Sequence, residues 1–319
     1  MDERAARHAA HEMPEGAQIL YGEFAERGAY YPCTYLPDVV YAQDGGIERR
    51  LQIITPSTEG NRFPLVVFVQ GSAWHKQNLY MAIPSLSHLA AKGYVIASVE
   101  IRDTGIAPFP AALEDVKTAI RYMRAHAGAY GVDPARVAVW GDSSGGHLAL
   151  MTGLTSGEYA TGLYPEQSDA VRAVVSYYGV TDLLSLGRYN SIVDHDAADS
   201  PEGLLIGGAV QEHQEAARKA SPIHQDLDRP LPPFLLLHGD SDSVVHINQS
   251  IEMFKALRAH GHNAAFYKVM GAEHGIGCWH PRVLEVTEQF LSTWLHRPSW
   301  QAPPLQHEVE TETASEEQA

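Results

Sequence analysis

Val137-Ala-Val-Trp-Gly-Asp-Ser-Ser-Gly-Gly-His-Leu-Ala-Leu150 decides the fold, because an apolar β run feeds a glycine turn that opens directly into a helix. Within it, Gly141-Asp142-Ser143-Ser144-Gly145 sets two glycines around a serine at G-x-S-x-G spacing. Such a turn reverses tightly around a residue in a strained conformation, and a Cβ at either flanking position would strike the neighbouring strand or helix. It also holds the serine oxygen clear of its own backbone, at the positive end of the following helix. Glycine and serine are common turn residues, so the motif alone is weak. It gains meaning from a strand before it and a helix after it.

Outward from this turn, short apolar runs alternate with longer helical segments. Leu65–Val69, Tyr94–Val99, Val137–Trp140, Val171–Tyr177, Phe234–Leu237 and Ala265–Val269 read as strands buried on both faces. Helices are predicted near 80–92, 111–127, 144–156, 247–260 and 282–296, with Gly93, Gly131 and Gly261 following three of them where a helix stop belongs. Ahead of these lie two further strand signals, Tyr35–Ala42 and Ile47–Thr55, joined by the hairpin chemistry of Asp44-Gly45-Gly46. The expectation is an α/β fold: a mainly parallel eight-stranded sheet with an antiparallel start and helices on both faces.

Residues 1–34 are weakly patterned and read as an N-terminal arm on an α/β domain spanning 35–297. Between Tyr177 and Phe234 the alternation breaks. Residues of about 182–232 carry polar helical patches around Ser200-Pro201-Glu202 and Glu212–Ala220, a connection long enough to be a small cap. From 298 to 319 apolar periodicity is lost and acidic residues accumulate, which predicts a disordered acidic tail.

Composition excludes several functions. With 23 Lys and Arg against 39 Asp and Glu, the formal charge is −16, and no basic run tracks a phosphate backbone, so no nucleic-acid partner is expected. The polar opening Met1-Asp-Glu-Arg-Ala-Ala-Arg-His has no secretory apolar segment, and no run is long enough to span a bilayer, which predicts a cytoplasmic protein with no membrane partner. Cys33 and Cys278 form neither a disulfide framework nor a metal cluster and are expected as free thiols. Homodimerisation through the arm, the cap or a sheet edge stays open, since no periodic seam identifies it.

A serine hydroxyl is a poor nucleophile until a base takes its proton, and that base needs a third group to hold its tautomer. Candidates follow in Ser, Asp, His order. The strand Phe234–Leu237 runs into His238-Gly-Asp-Ser-Asp242-Ser-Val-Val245, and the last strand into Gly271-Ala-Glu-His274-Gly275. Sites in open α/β sheets form at the carboxyl ends of strands, so Ser143, Asp242 and His274 converge on one edge. Acyl transfer also needs donors for the developing oxyanion. The Ser144 N–H is one, and the loop Gln70-Gly71-Ser72-Ala73-Trp74 after the Leu65–Val69 strand offers the others.

With these residues in view, the chain resembles the α/β-hydrolase superfamily, and within it the bacterial carboxylesterases related to hormone-sensitive lipase and to feruloyl and acetylxylan esterases. The likeness runs from about Ile47 to Leu295, through Asp133–Ala149, Tyr178-Gly-Val-Thr-Asp182, the His238–Val245 turn and Glu273-His274-Gly275. It implies the α/β-hydrolase fold, Ser143 as nucleophile, His274 as base, Asp242 as its orienting acid, and Ser72, Ala73 and Ser144 as oxyanion donors. The chain departs from the family's usual His-Gly-Gly-Gly or His-Gly-Gly-Ala-Trp, carrying Gln70-Gly71-Ser72-Ala73-Trp74 instead. Some members place the acid one strand earlier, which makes Asp182 the fallback.

The expected reaction is ester hydrolysis through an acyl-serine, on a small-molecule substrate, with no cofactor and no metal. Trp74, Tyr177, Tyr178, Cys278 and Trp279 are candidates to wall the acyl pocket, which with the resemblance points to hydroxycinnamoyl (feruloyl or chlorogenate-type) esters. Short-chain acyl or acetyl-sugar esters come next. A serine peptidase is a further alternative, because prolyl oligopeptidases share this catalytic domain, but the large N-terminal propeller they carry is not expected here; against a noncatalytic binding protein stand all three of Ser143, Asp242 and His274.

Overall fold

The computed structural model describes residues 30–57, 60–159 and 161–296. The arm up to residue 29 and the acidic tail from 298 lie outside them. β1 (Cys33–Asp44) and β2 (Ile47–Pro56) form the expected hairpin, with Gly45 and Gly46 at φ 58° and 80°. Two successive positive φ values give a turn whose twist matches that of the strands. β1 therefore starts at Cys33, inside the stretch read as arm.

Alternation of strand and helix then takes over. β3 (Phe63–Val69), α1 (Ile83–Ala91), β4 (Val95–Val99), α2 (Ala111–Ala125), β5 (Val132–Asp142), α3 (Ser144–Leu154) and β6 (Ala173–Tyr177) follow one another. After the long connection come β7 (Phe234–Gly239), α7 (Asn248–Ala259), β8 (Ala264–Val269) and α8 (Pro281–Leu295). The eight strands form one sheet in the order β1-β2-β4-β3-β5-β6-β7-β8. β2 runs antiparallel to β1 and β4, and every other neighbouring pair is parallel.

Two apolar layers hold this sheet between helices. Leu65, Val67 and Val69 of β3 face the layer that contains Leu113, Val116 and Ile120 of α2, Leu148 and Met151 of α3, and Met253 and Leu257 of α7. Val66 and Phe68 face the other, with Leu86 and Leu89 of α1 and Val283, Leu291 and Leu295 of α8. Alternate residues of one strand thus serve opposite cores, which is why these strands read as unbroken apolar runs. Each wholly buried aliphatic side chain contributes about 1.5–3 kcal/mol.

The widest departure from the sequence expectation lies between α2 and β5. β5 begins at Val132, five residues before the apolar run, because Val132 pairs with Phe63 across an irregular register while Asp133 and Arg136 pair with each other at the surface. Gly131, at φ 65°, accordingly turns the chain into β5 and does not cap α2, which ends at Ala125. Gly93 and Gly261 do follow helix ends with positive φ.

The 182–232 connection holds α4 (Leu183–Leu186), α5 (Pro201–Ile206), α6 (Gln214–Ala220) and a 3-10 turn at Pro222–His224. Ser200 caps α5 by accepting from the Gly203 N–H. Leu183, Leu186, Leu205, Ala217 and Ala220 join the apolar layer of α2, α3 and α7. Backbone bonds fasten the segment to both neighbouring loops: Phe109 N–H donates to Leu205 O, and Ile192 N–H to Ser243 O. Among the described residues no helix is long and apolar enough to cross a membrane. Cys33 is exposed and Cys278 buried, with no bridge between them.

Candidate active site

At the junction of β5 and α3, Ser143 adopts φ 52° and ψ −125°. A non-glycine residue there costs about 1–3 kcal/mol and persists only when its surroundings dictate it. The flanking glycines explain how the turn closes. A Cβ on Gly141 would lie 2.1 Å from Gly145 O, and one on Gly145 would lie 1.9 Å from Val69 O. The Ser143 N–H donates to Tyr177 O, and Ser143 O accepts from the His147 N–H. The backbone is thus satisfied on both sides of the turn, and the hydroxyl points to His274, with Oγ 2.9 Å from Nε2.

His274 comes from the loop after β8, and its other nitrogen, Nδ1, is 2.8 Å from Oδ2 of Asp242, in the loop after β7. Asp242 is nearly buried, and its Oδ1 accepts from the N–H groups of Val244 and Val245, each at 2.9 Å. Burial alone would raise its proton affinity. Hydrogen bonds from His238 and His274 outweigh that and hold the carboxyl well below the usual carboxylate range. An ionised Asp242 accepts the Nδ1 proton of His274, which leaves Nε2 as the acceptor facing the Ser143 hydroxyl.

His238 is a neighbour that sequence reasoning passed over. Wholly buried, it brings Nε2 within 2.8 Å of Val245 O and 3.3 Å of Asp242 Oδ2, and Nδ1 within 2.7 Å of Ser250 Oγ. It stands four residues before Asp242 in the same turn, and its placement there is the signal that was available. Asp182 takes a different part. It caps α4, accepting from the Leu184 N–H at 3.1 Å, and pairs with His224 Nε2 at 3.3 Å.

The loop after β3 lies against the elbow. Its Gly71 N–H donates to Asp142 Oδ1 at 2.8 Å and its Ser72 N–H to Ser144 Oγ at 2.9 Å. Ala73 and Trp74 follow at φ 53° and 56°. Of the three expected oxyanion donors, the Ser72 N–H is therefore engaged by Ser144, and the Ser72 hydroxyl turns back to His75 O. Ser144 opens α3, where the first N–H groups have no partner within the helix. Asp142, the variable residue before the serine, also accepts from the Tyr178 hydroxyl, which accepts in turn from the Trp279 indole. Tyr178 meets the His274 ring edge-on at 4.8 Å.

The aromatic wall expected for the acyl pocket needs correction. Trp74 exposes 1 % of its surface, and Tyr177 and Cys278 none. Tyr177 bonds Thr287 through its hydroxyl inside the α8 layer, and Trp74 points its indole at His147. Apolar bulk won over position in the chain: these side chains fill the core below the loops. Trp279 stays partly exposed, stacked on Trp140 at 5.3 Å and bonded to Tyr178.

A serine on a strand-to-helix elbow, with an acid and a histidine on later loops of one mostly parallel sheet, defines the α/β-hydrolases. The chain belongs to the BD-FAE family, whose model matches residues 51–257. Among its relatives is Esterase LipC of Mycobacterium tuberculosis, 36% identical over 217 residues, which are 66% of this chain and 53% of LipC. Isoprenylcysteine alpha-carbonyl methylesterase ICME of Arabidopsis thaliana is 30% identical over 277 residues, 82% of this chain and 60% of that protein. The chain spans about half the length of the first of these curated relatives. A solved truncated form of a carbohydrate esterase from gut microbiota superposes with TM-score 0.75 at 29% identity, covering 85% of this chain and 98% of that one. A bifunctional GH43-CE of Bacteroides eggerthii gives 0.74 at 33% identity, covering 82% and 35%.

Proposed function

We propose that the protein hydrolyses carboxylic esters through an acyl-serine intermediate. Ser143 is the nucleophile, His274 the general base and then acid, and Asp242 the group that orients the imidazole and balances its charge. One observation carries this reading: His274 stands between Ser143 Oγ at 2.9 Å and Asp242 Oδ2 at 2.8 Å.

In the reaction, Ser143 Oγ attacks the carbonyl carbon as its proton passes to His274 Nε2. The carbonyl oxygen takes up negative charge among the N–H groups of Ser72, Ala73 and Ser144, the Ser72 donor turning from Ser144 Oγ to do so. The bond to the alcohol then breaks, and the leaving oxygen takes the proton from His274. Water repeats the sequence on the acyl-serine, releasing the acid and restoring Ser143. The alcohol carries away the Ser143 proton and water supplies its replacement, so Ser143 and His274 end the cycle in the protonation states in which they began it.

For the acyl group we favour a short chain, with acetyl esters of carbohydrates as the substrate class. Two observations support it: the aromatic wall expected for a hydroxycinnamoyl group is largely buried, and a structural relative at 29% identity is named as a carbohydrate esterase, beside one at 33% named as a bifunctional GH43-CE. Hydroxycinnamoyl esters are the second reading, supported by the partly exposed Trp279 next to Tyr178. Initial rates on p-nitrophenyl acetate, an acetylated xylo-oligosaccharide, methyl ferulate and a proline anilide separate these readings, with Ser143→Ala as the control. Hydrolysis of the acetyl esters, abolished in Ser143→Ala, is the expected result. Silence on every ester sinks the proposal, and a ferulate rate well above the acetate rates transfers the substrate assignment to the second reading.

A further inference from the structure

Three donors of the loop after β3 meet three acceptors on the elbow and its helix. Gly71 N–H reaches Asp142 Oδ1, Ser72 N–H reaches Ser144 Oγ, and the Trp74 indole N–H reaches His147 Nδ1 at 3.2 Å. The last joins two side chains that are 1 % and 0 % exposed and meet edge to face, with ring centroids 5.1 Å apart. On its far side, His147 Nε2 lies 2.6 Å from the carbonyl of Ala220, the last residue of α6 in the 182–232 segment. An indole only donates and a carbonyl only accepts, so the two partners require a neutral ring with its proton on Nε2. Burial pushes the imidazole down to about 4, which keeps that neutral form in place at working pH.

We infer that His147 is a positioning residue for the ester hydrolysis proposed above: it fixes the oxyanion loop through the Trp74 indole and makes the 182–232 segment part of the loop's support through Ala220. The inference rests on that reading of function. The loop needs such a brace, because Ala73 and Trp74 both take a left-handed conformation that side-chain-bearing residues avoid on their own. Thr104 N–H bonds Trp74 O, which ties the backbone, but the direction of the indole is set by His147. The N–H groups one and two positions before Trp74, those of Ala73 and Ser72, are donors the reaction calls on. A shift of Trp74 is therefore a shift of the oxyanion donors.

The test compares wild type, Ser143→Ala, Trp74→Phe, His147→Phe, the Trp74→Phe/His147→Phe double variant and His147→Asn. The readouts are kcat and KM on p-nitrophenyl acetate, and inhibition by phenylboronic acid, which adds to a serine as a tetrahedral anion. Trp74→Phe keeps a ring and removes only the donor. We expect it and His147→Phe each to lower kcat about tenfold or more with KM changed less than about threefold. Boronate affinity falls in step with kcat, and the double variant is no worse than the poorer single. His147→Asn, whose amide oxygen can stand in for Nδ1, recovers part of the loss. If His147→Phe does not fold, Trp74→Phe and His147→Asn carry the comparison. The inference is overturned if Trp74→Phe retains kcat and boronate affinity within about twofold, or if the two single losses multiply in the double variant. A wild type that leaves every ester intact overturns the functional reading and this inference with it, an outcome distinct from an active wild type indifferent to Trp74→Phe.

Discussion

Asp242 and Asp182 are the same side chain in two environments, and only one of them touches His274. From the sequence Asp242 was the expected acid and Asp182 the fallback, since each follows a strand of the same half of the sheet. Asp242 lies 2.8 Å from His274 Nδ1, while Asp182 spends its oxygen on the Leu184 N–H and His224. Two substitutions separate these roles. Asp242→Asn should lower kcat on p-nitrophenyl acetate about 10⁴-fold, because an amide in that place favours the wrong imidazole tautomer. Asp182→Asn should leave kcat within about twofold and cost at most about 1 kcal/mol through a weakened helix cap. Equal losses in the two variants, read from steady-state rates and urea unfolding, contradict this assignment.

The β5–α3 elbow is an element whose geometry depends on having no side chain at two points. Gly145 packs its Cα face onto the end of β3, where an added Cβ would meet Val69 O at 1.9 Å, a contact with backbone that no rotamer relieves. Gly145→Ala is therefore expected to lower unfolding stability by about 3 kcal/mol. It should also reduce kcat, since pushing β3 away moves the loop at Gly71 and Ser72 that bonds Asp142 and Ser144. Gly157→Ala, at a glycine whose Cβ would meet nothing, is the comparison that leaves kcat unchanged and costs only the local positive-φ strain. Thermal or chemical unfolding with parallel rate measurements checks both. At this scale the sequence was legible where local chemistry is decisive: the Gly45-Gly46 hairpin, the elbow, the helical patch around Ser200-Pro201-Glu202 and the stops at Gly93 and Gly261. It was silent on the first five residues of β5, where Val132 pairs with the distant Phe63 and polar Asp133 and Arg136 pair with each other across the irregular register.

For the whole molecule, 39 acidic against 23 basic residues give a net charge of −16, whose long-range field acts on charged substrates as they approach. Anionic esters are repelled at low salt and neutral ones are not. On chlorogenate, kcat/KM relative to methyl ferulate should therefore rise severalfold as ionic strength goes from roughly 0.01 M to roughly 0.2 M, over which the Debye length shrinks from about 30 Å to under 10 Å. A ratio indifferent to salt, measured for whichever of these esters is turned over, means that the field at the site is not set by net charge. The 182–232 segment also belongs to this scale. It bonds the loop after β4 through Phe109 and the acid loop through Ser243, and its Ala220 carbonyl meets the buried His147.

The sequence by itself determined the α/β alternation, the hairpin, the elbow and the order of Ser143, Asp242 and His274, because each is written in local periodicity, glycine placement or strand-end position. Tertiary structure alone set Asp242 against His274 while turning Asp182 to the Leu184 N–H and His224, and it decided which donors of the 70–74 loop are engaged. It alone also decided that Trp74, Tyr177 and Cys278 belong to the core. Aromatic and apolar side chains carry no local mark that distinguishes a pocket wall from a packed interior. That choice is made by which surfaces the sheet brings together, over separations such as the 73 positions between Trp74 and His147.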